Sequence, residues 1–158
     1  MIKINKLKRT DLSKIDSLIS EEKEDYNFFL KSGWNYKSIH NHFQKQNNLS
    51  LGCFIENAIL GFLIGEKINI NEQNVLDVHI IYVSVKKRRY NIGSKILNYF
   101  LQNKFSTKIS KIYVEVAENN MEAIKFYEKN NFVFYKFRHN YYINENKSIN
   151  AKCYYKNI

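Results

Sequence analysis

The chain has 158 residues, 44% of them hydrophobic, and 25 Lys and Arg against 15 Asp and Glu leave a formal charge of +10. The length predicts one domain with its own core, and the apolar content excludes a disordered chain. No apolar run approaches the about 20 residues needed to span a bilayer.

The first residues, Met1-Ile-Lys-Ile-Asn-Lys-Leu7, alternate apolar and polar side chains. They lack the continuous apolar stretch of a signal peptide and read as a first strand over residues 2–8. A cytoplasmic, non-membrane protein is expected. Thr10 is a candidate cap for a helix to about Ser20 with Leu12, Ile15 and Ile19 inward. Glu21 to Asp25 reads as an exposed charged stretch, and Tyr26, Phe28, Phe29 and Trp34 as an irregular segment around Gly33. A second helix is expected from Asn35 to about Gln44, with Tyr36, Ile39, His40 and Phe43 on one stripe. Residues 52–65 read as a hairpin turning at Glu56-Asn57.

A long strand is expected from Val75 to Val85, then a basic turn, Lys86-Lys-Arg-Arg-Tyr-Asn-Ile-Gly93, then a helix to about Lys104. Free N–H groups and the helix dipole make such a turn a candidate anion site. Gly93 would admit a ligand to the backbone, and Asn91 tolerates a left-handed conformation. A plain solvated turn is the competing reading. Lys111 to Val116 is a strand, and Asn119-Asn120 cap a helix from Met121 to Asn130, with Glu122 placed as in a capping box. Phe132–Arg138 and Ala151–Lys156 are the last strands, joined across Asn144 to Ser148. The order predicts an α/β domain with a mixed central sheet of six to seven strands and about four helices.

In the strand Ile112-Tyr-Val-Glu-Val116, Glu115 shares a face with Tyr113, opposite the apolar Ile112, Val114 and Val116. A half-buried carboxylate there would have a raised pKa and suit a general base; a solvent-facing glutamate fits as well. Tyr127 sits on the next helix and reads on its own as a core aromatic with a wet tip. Asn120 reads first as a helix cap.

Cys53 and Cys153 are far apart without metal-like spacing and are expected buried and reduced. The histidine spacing shows no metal constellation: His40 and His42 are two apart on a helix and do not share a face. The basic residues are spread along the chain. With abundant Lys, Asn, Ile and Tyr and no proline, this favours compositional drift over a dedicated nucleic-acid face.

Arg88-Arg-Tyr-Asn-Ile-Gly93, Glu115 and Asn120-Met-Glu-Ala-Ile-Lys-Phe-Tyr127 together resemble the GNAT acetyltransferases. Asn91 and Asn131 stand where that family carries glycine. Arg138-His-Asn-Tyr-Tyr142 and Gly33-Trp34 resemble its protein N-terminal branch, nearest the bacterial ribosomal-protein alanine N-acetyltransferase (RimI type). The likeness is strongest over residues 80–142. It implies a single domain over 1–158, acetyl-CoA as cofactor and a protein N-terminus, such as that of a ribosomal protein, as acceptor. It also implies backbone pairing of the pantetheine with Ile81, Tyr82 and Val83, and pyrophosphate binding by Arg88, Arg89, Tyr90, Asn91, Ile92, Gly93 and Ser94. Asn120 would bind near the thioester, Glu115 would be the base and Tyr127 the acid, and Trp34, Tyr141 and Tyr142 would line the peptide slot. The related eukaryotic branch with a tyrosine–histidine pair has Asp77 and Glu115 at the matching positions here, so its mechanism does not transfer. A GNAT acting on a small amine or a lysine side chain, and a non-catalytic cofactor- or RNA-binding module, are the alternatives.

Overall fold

The structure, a computed structural model, describes residues 1–103, 108–144 and 147–158. Its elements in chain order are β1 (Ile2–Lys6), α1 (Leu12–Ser20), α2 (Lys23–Lys31), α3 (Tyr36–Phe43), β2 (Leu51–Ile55), β3 (Ala58–Ile70), β4 (Gln73–Val83), α4 (Ile92–Gln102), β5 (Lys111–Ala117), α5 (Met121–Lys129), β6 (Val133–Asn144) and β7 (Lys147–Asn157). The strands form one sheet in the order β1-β2-β3-β4-β5-β7-β6. Every neighbouring pair is antiparallel except β4 and β5, which run parallel.

Two apolar clusters cover the sheet unequally. Ile92, Ile96, Leu97 and Phe100 of α4 and Ile124 and Tyr127 of α5 pack with Leu63, Leu76, Val78, Ile112, Val114 and Tyr154 on one face. Ile15 and Ile19 of α1, Phe29 of α2 and Ile39 of α3 pack with Phe54, Phe62, Ile64 and Tyr82 on the other. β3 lies under both layers, which is why Ile59 to Gly65 is buried without alternation. Among the described residues, no buried side chain of β5, β6 or β7 joins the second cluster. The Tyr113–Glu115 face of β5 therefore lies outside the second helical layer and is half-buried. Among the described residues, no helix is long and apolar enough to cross a membrane.

The sequence reading missed one helix. α2 takes up most of the segment expected to be a charged stretch and an irregular turn. Only Phe29 of its nine residues is buried, so no apolar stripe announces it. Its end is legible afterwards. Gly33 (φ 81°) is left-handed, its N–H bonds the Leu30 carbonyl and the Trp34 N–H bonds the Phe29 carbonyl, a Schellman closure. Other corrections are local. Thr10 lies in a short 3-10 turn over Arg9–Asp11 and caps nothing. In α3 the inward residues are Ile39 and His42, whereas Tyr36 is exposed. Val85 belongs to a 3-10 turn, Val85–Lys87, so β4 stops at Val83. The expected helix end at Lys104 and the centre of the last connection, Glu145 and Asn146, lie outside the described residues.

α5 closes as α2 does, with Asn131 (φ 61°) in the left-handed position. Its N–H bonds the Glu128 carbonyl and the Phe132 N–H bonds the Tyr127 carbonyl. The rings of Tyr127 and Phe132 then pack at 5.4 Å, so this cap also seats Tyr127. A left-handed L-residue costs roughly 1–2 kcal/mol, with Asn among those that bear it best. Asn131→Ala is accordingly expected to destabilise by about 1 kcal/mol in urea unfolding, and Asn131→Gly by less or not at all.

Candidate active site

The gap in the sheet comes from one extra residue. β3 and β4 pair Ile64 with Ile80 and Gly65 with Val78, leaving His79 unmatched in a β-bulge. Pairing of β4 with β5 ends at Val78 and Val114, one residue before it. Beyond that point β4 keeps only β3 as a neighbour. The Ser84 N–H bonds the Leu60 carbonyl at 3.0 Å, which sets the phase of the antiparallel alternation. Ser84, Tyr82 and Ile80 turn their backbone groups to β3, and Val83 and Ile81 turn theirs into the gap. Of the three residues expected to present backbone there, Tyr82 instead contributes its side chain to a different contact.

That contact is with α2. The Tyr82 hydroxyl donates to Asp25 Oδ2 at 2.9 Å, and Arg88 Nη2 donates to the same oxygen at 2.8 Å. Arg88 Nε also reaches the Val83 carbonyl at 3.3 Å. Burial, and then the bond to Asp25, push the Tyr82 hydroxyl pKa well up. Asp25 had no signal in the sequence, because its helix had none.

The basic turn ends as expected at an anion-ready helix start. Arg89 (φ 68°) and Asn91 (φ 59°) are both left-handed. The first main-chain bond into α4 is from Lys95 N–H to the Asn91 carbonyl, so the N–H groups of Ile92, Gly93 and Ser94 have no intrahelical partner. The free N–H groups at this helix end, next to two left-handed turn residues, are donors suited to an anion. Tyr90 stands exposed beside it. Arg89 pairs with Glu122 at 2.9 Å. Gly93 also faces α5. A Cβ on it would stand 3.0 Å from the Phe126 ring, so its smallness serves the packing of α4 on α5.

Glu115 sits one residue past the last β4–β5 pair. It is seated against a guanidinium and not among apolar walls: Arg138 Nη1 donates to Oε1 at 2.7 Å, and the buried Cys153 thiol points at the same atom from 3.8 Å. Burial, then the Glu115 charge, push that thiol pKa up. Cys53 is likewise buried and free. The Arg138 guanidinium lies 4.2 Å over the Tyr141 ring, and Tyr141 packs edge-on against Tyr142 at 4.9 Å. The hydroxyl pKa values of Tyr141 and Tyr142 are raised, first by burial and then by neighbours that include Glu115. Asp77 faces the same space. Burial pushes its carboxyl up, opposed by His79 and reinforced by Glu115 and Glu66.

Tyr127 is 7% exposed and lies against Phe126, Phe132 and Tyr154. Desolvation alone holds its hydroxyl well above the usual phenol range. None of the described residues hydrogen-bonds that hydroxyl, yet it is not sealed in; the one enclosed and unpaired side-chain polar atom among them is His42 Nδ1. Asn120 caps α5 through Oδ1, which accepts from the Ala123 N–H at 3.1 Å. The cap is thus one residue later than the expected box, and Glu122 turns to Arg89 and Arg88 instead. Trp34 packs on His79 at 5.4 Å and on His42 at 5.8 Å. It joins the site through His79 and Asp77, from the helical side.

The Acetyltransferase (GNAT) family matches residues 15–132. RecBCD enzyme subunit RecD of Buchnera aphidicola subsp. Schizaphis graminum (strain Sg) is 32% identical over 101 residues, 64% of this chain and 16% of that protein. The chain thus spans about a sixth of the length of that curated relative. In structure the chain is similar to the ribosomal-protein-S18-alanine N-acetyltransferase of Escherichia coli (TM-score 0.80, 19% identity, covering 100% of this chain and 94% of that one). It is also similar to Arabidopsis thaliana NAA60 in complex with a bisubstrate analogue (0.81, 13%, 100% and 98%). A third is the PaiA N-acetyltransferase of Thermoplasma acidophilum in complex with coenzyme A (0.76, 17%, 100% and 99%). At these identities the likeness is one of fold.

Proposed function

The chain belongs to the GNAT acetyltransferase family, and on that footing we propose that residues 1–158 form one N-acetyltransferase domain that acetylates the N-terminal α-amino group of a protein. The cofactor is acetyl-CoA. The observation that carries the reading is the gap between β4 and β5, with the Ile81 and Val83 backbone on one wall and Glu115 at the other. The acceptor assignment leans on Tyr141, Tyr142 and Trp34 around that gap and on the fold shared with the S18-alanine enzyme of Escherichia coli. A ribosomal protein is therefore the acceptor we favour, in the cytoplasm where new N-termini are made.

Acetyl-CoA supplies an acetyl group activated as a thioester, an amide-bearing arm and a pyrophosphate. Ile81 and Val83 offer main-chain donors and acceptors to the arm in the manner of a missing strand. The N–H groups from Arg89 to Ser94 receive the pyrophosphate, and Arg88 and Arg89 add charge in competition with Asp25 and Glu122. The Asn120 amide nitrogen, left over from capping, binds the cofactor near the thioester. An α-ammonium with pKa about 7.7–8.0 is mostly protonated at neutral pH, and Glu115 takes that proton directly or through a water. The Val83 N–H donates to the oxygen on which charge develops. Tyr127, kept protonated by its burial, gives its proton to the leaving sulfur. No cysteine nucleophile enters.

The test is acetyl transfer to peptides with free or blocked α-amines, read by mass spectrometry. Transfer to free N-termini alone is the expected result. Transfer only to lysine side chains or polyamines overturns the N-terminal reading, and no transfer to any amine overturns the enzyme.

A further inference from the structure

His42 of α3, Glu66 of β3 and His79 at the β4 bulge meet behind Trp34, and each offers a donor atom within 4.8 Å of the other two. His42 is 3% exposed, and its Nε2 lies 3.1 Å from the Gly65 carbonyl. A carbonyl only accepts, so Nε2 carries the proton and Nδ1 holds a bare lone pair. That Nδ1 is enclosed and unpartnered, which is costly for a buried acceptor unless something binds there. His79 turns Nε2 to Glu66 Oε1 at 3.4 Å and Nδ1 toward Asp77 Oδ2 at 4.0 Å. Metal-bound histidines keep such outer partners, a backbone carbonyl or a carboxylate, on the ring nitrogen away from the ion.

We propose that His42 through Nδ1, His79 through Nε2 and the Glu66 carboxylate bind one zinc-class divalent ion. Two imidazoles with one carboxylate select zinc, copper or nickel over magnesium and calcium, and three protein ligands leave a fourth position open. Ligand atoms of a tetrahedral zinc stand roughly 3.4 Å apart, so binding draws the three side chains together. Lys45 Nζ, 2.8 Å from Glu66 Oε2, is the cation that the carboxylate now holds. It stands on a long, half-exposed side chain and is displaced by the ion. The site ties α3 to the bulge beneath Trp34, and it stands independently of the acceptor chosen above. Spacing along the chain concealed it, because its ligands come from three separate elements.

The full chain, freed of any affinity tag and stripped with a chelator, is titrated with Zn²⁺ against a competing chromophoric chelator, with Mg²⁺ in parallel and thermal unfolding as a second readout. One equivalent of Zn²⁺ is expected to bind and raise the melting temperature, and Mg²⁺ to do neither. His79→Gln and Glu66→Gln are each expected to weaken Zn²⁺ binding by at least about 100-fold, the upper range for loss of even an outer-shell partner. Lys45→Met is expected to tighten it. His42 is in the core, so the His79 and Glu66 variants decide the matter with the fold checked by circular dichroism. The absence of one-equivalent binding overturns the site. So does binding that survives both substitutions, which would place the ion elsewhere in the chain.

Discussion

Replacing Glu115 by Gln is expected to lower kcat by about 10²–10⁴-fold, the usual worth of a well-placed general base, with the fold unchanged. Gln keeps the shape and an oxygen that can accept from Arg138, and loses only the capacity to take a proton. The ion pair it replaces is partly solvated, with side chains 27% and 47% exposed. Such pairs contribute about 0.2–1 kcal/mol, so unfolding in urea should shift little. The pH profile supplies a second readout. Below the acceptor's pKa of about 7.7–8.0 the amine is protonated and needs a base; above it the amine is free by itself. The deficit of the variant should therefore shrink as pH rises past 8. A variant with wild-type kcat at pH 7 would remove Glu115 from the chemistry and leave it as the partner of Arg138.

Tyr127→Phe is expected to cost roughly 10²-fold or more in kcat while the protein becomes no less stable. A buried hydroxyl normally earns its place through a hydrogen bond, and losing that bond costs stability. Here no described residue bonds the hydroxyl, whereas the ring packs against Phe126, Phe132 and Tyr154. Phe preserves all of that packing. Loss of turnover with an unchanged or raised melting temperature is thus the signature of an acid facing the cofactor. A kcat within about threefold of wild type would return Tyr127 to the core and transfer the search to Tyr142, whose hydroxyl is also held protonated.

Much of the site was legible in the sequence because it rests on local chemistry. Alternation in Ile112 to Val116 put Glu115 on the face opposite the core, and β5 carries it there. Asn91 and Asn131 stand where the family resemblance leads one to expect glycine, and both are left-handed, the conformation that Asn bears among L-residues. The turn at Glu56-Asn57 and all seven strands follow from the same short-range rules, although β3 runs on from Gly65 to Ile70 and β6 from Arg138 to Asn144. What misled was also local. Gly33 reads as the centre of an irregular segment when it is the end of a helix.

The sequence by itself therefore determined the order of the strands and of every helix but α2, the face of Glu115, the backbone character of the basic turn and the family. Periodicity and backbone tolerance act over a few residues and are written in their order. Only the tertiary structure decided the rest. The extra residue at His79 arises from how β4 meets β3, and it parts β4 from β5 to open the gap. The pairing of Arg138 with Glu115, of Asp25 with Tyr82 and Arg88, and of His42 with Glu66 and His79 joins residues far apart in the chain. Such contacts repeat with no period, and their energies depend on burial and charge that exist only once the sheet has closed.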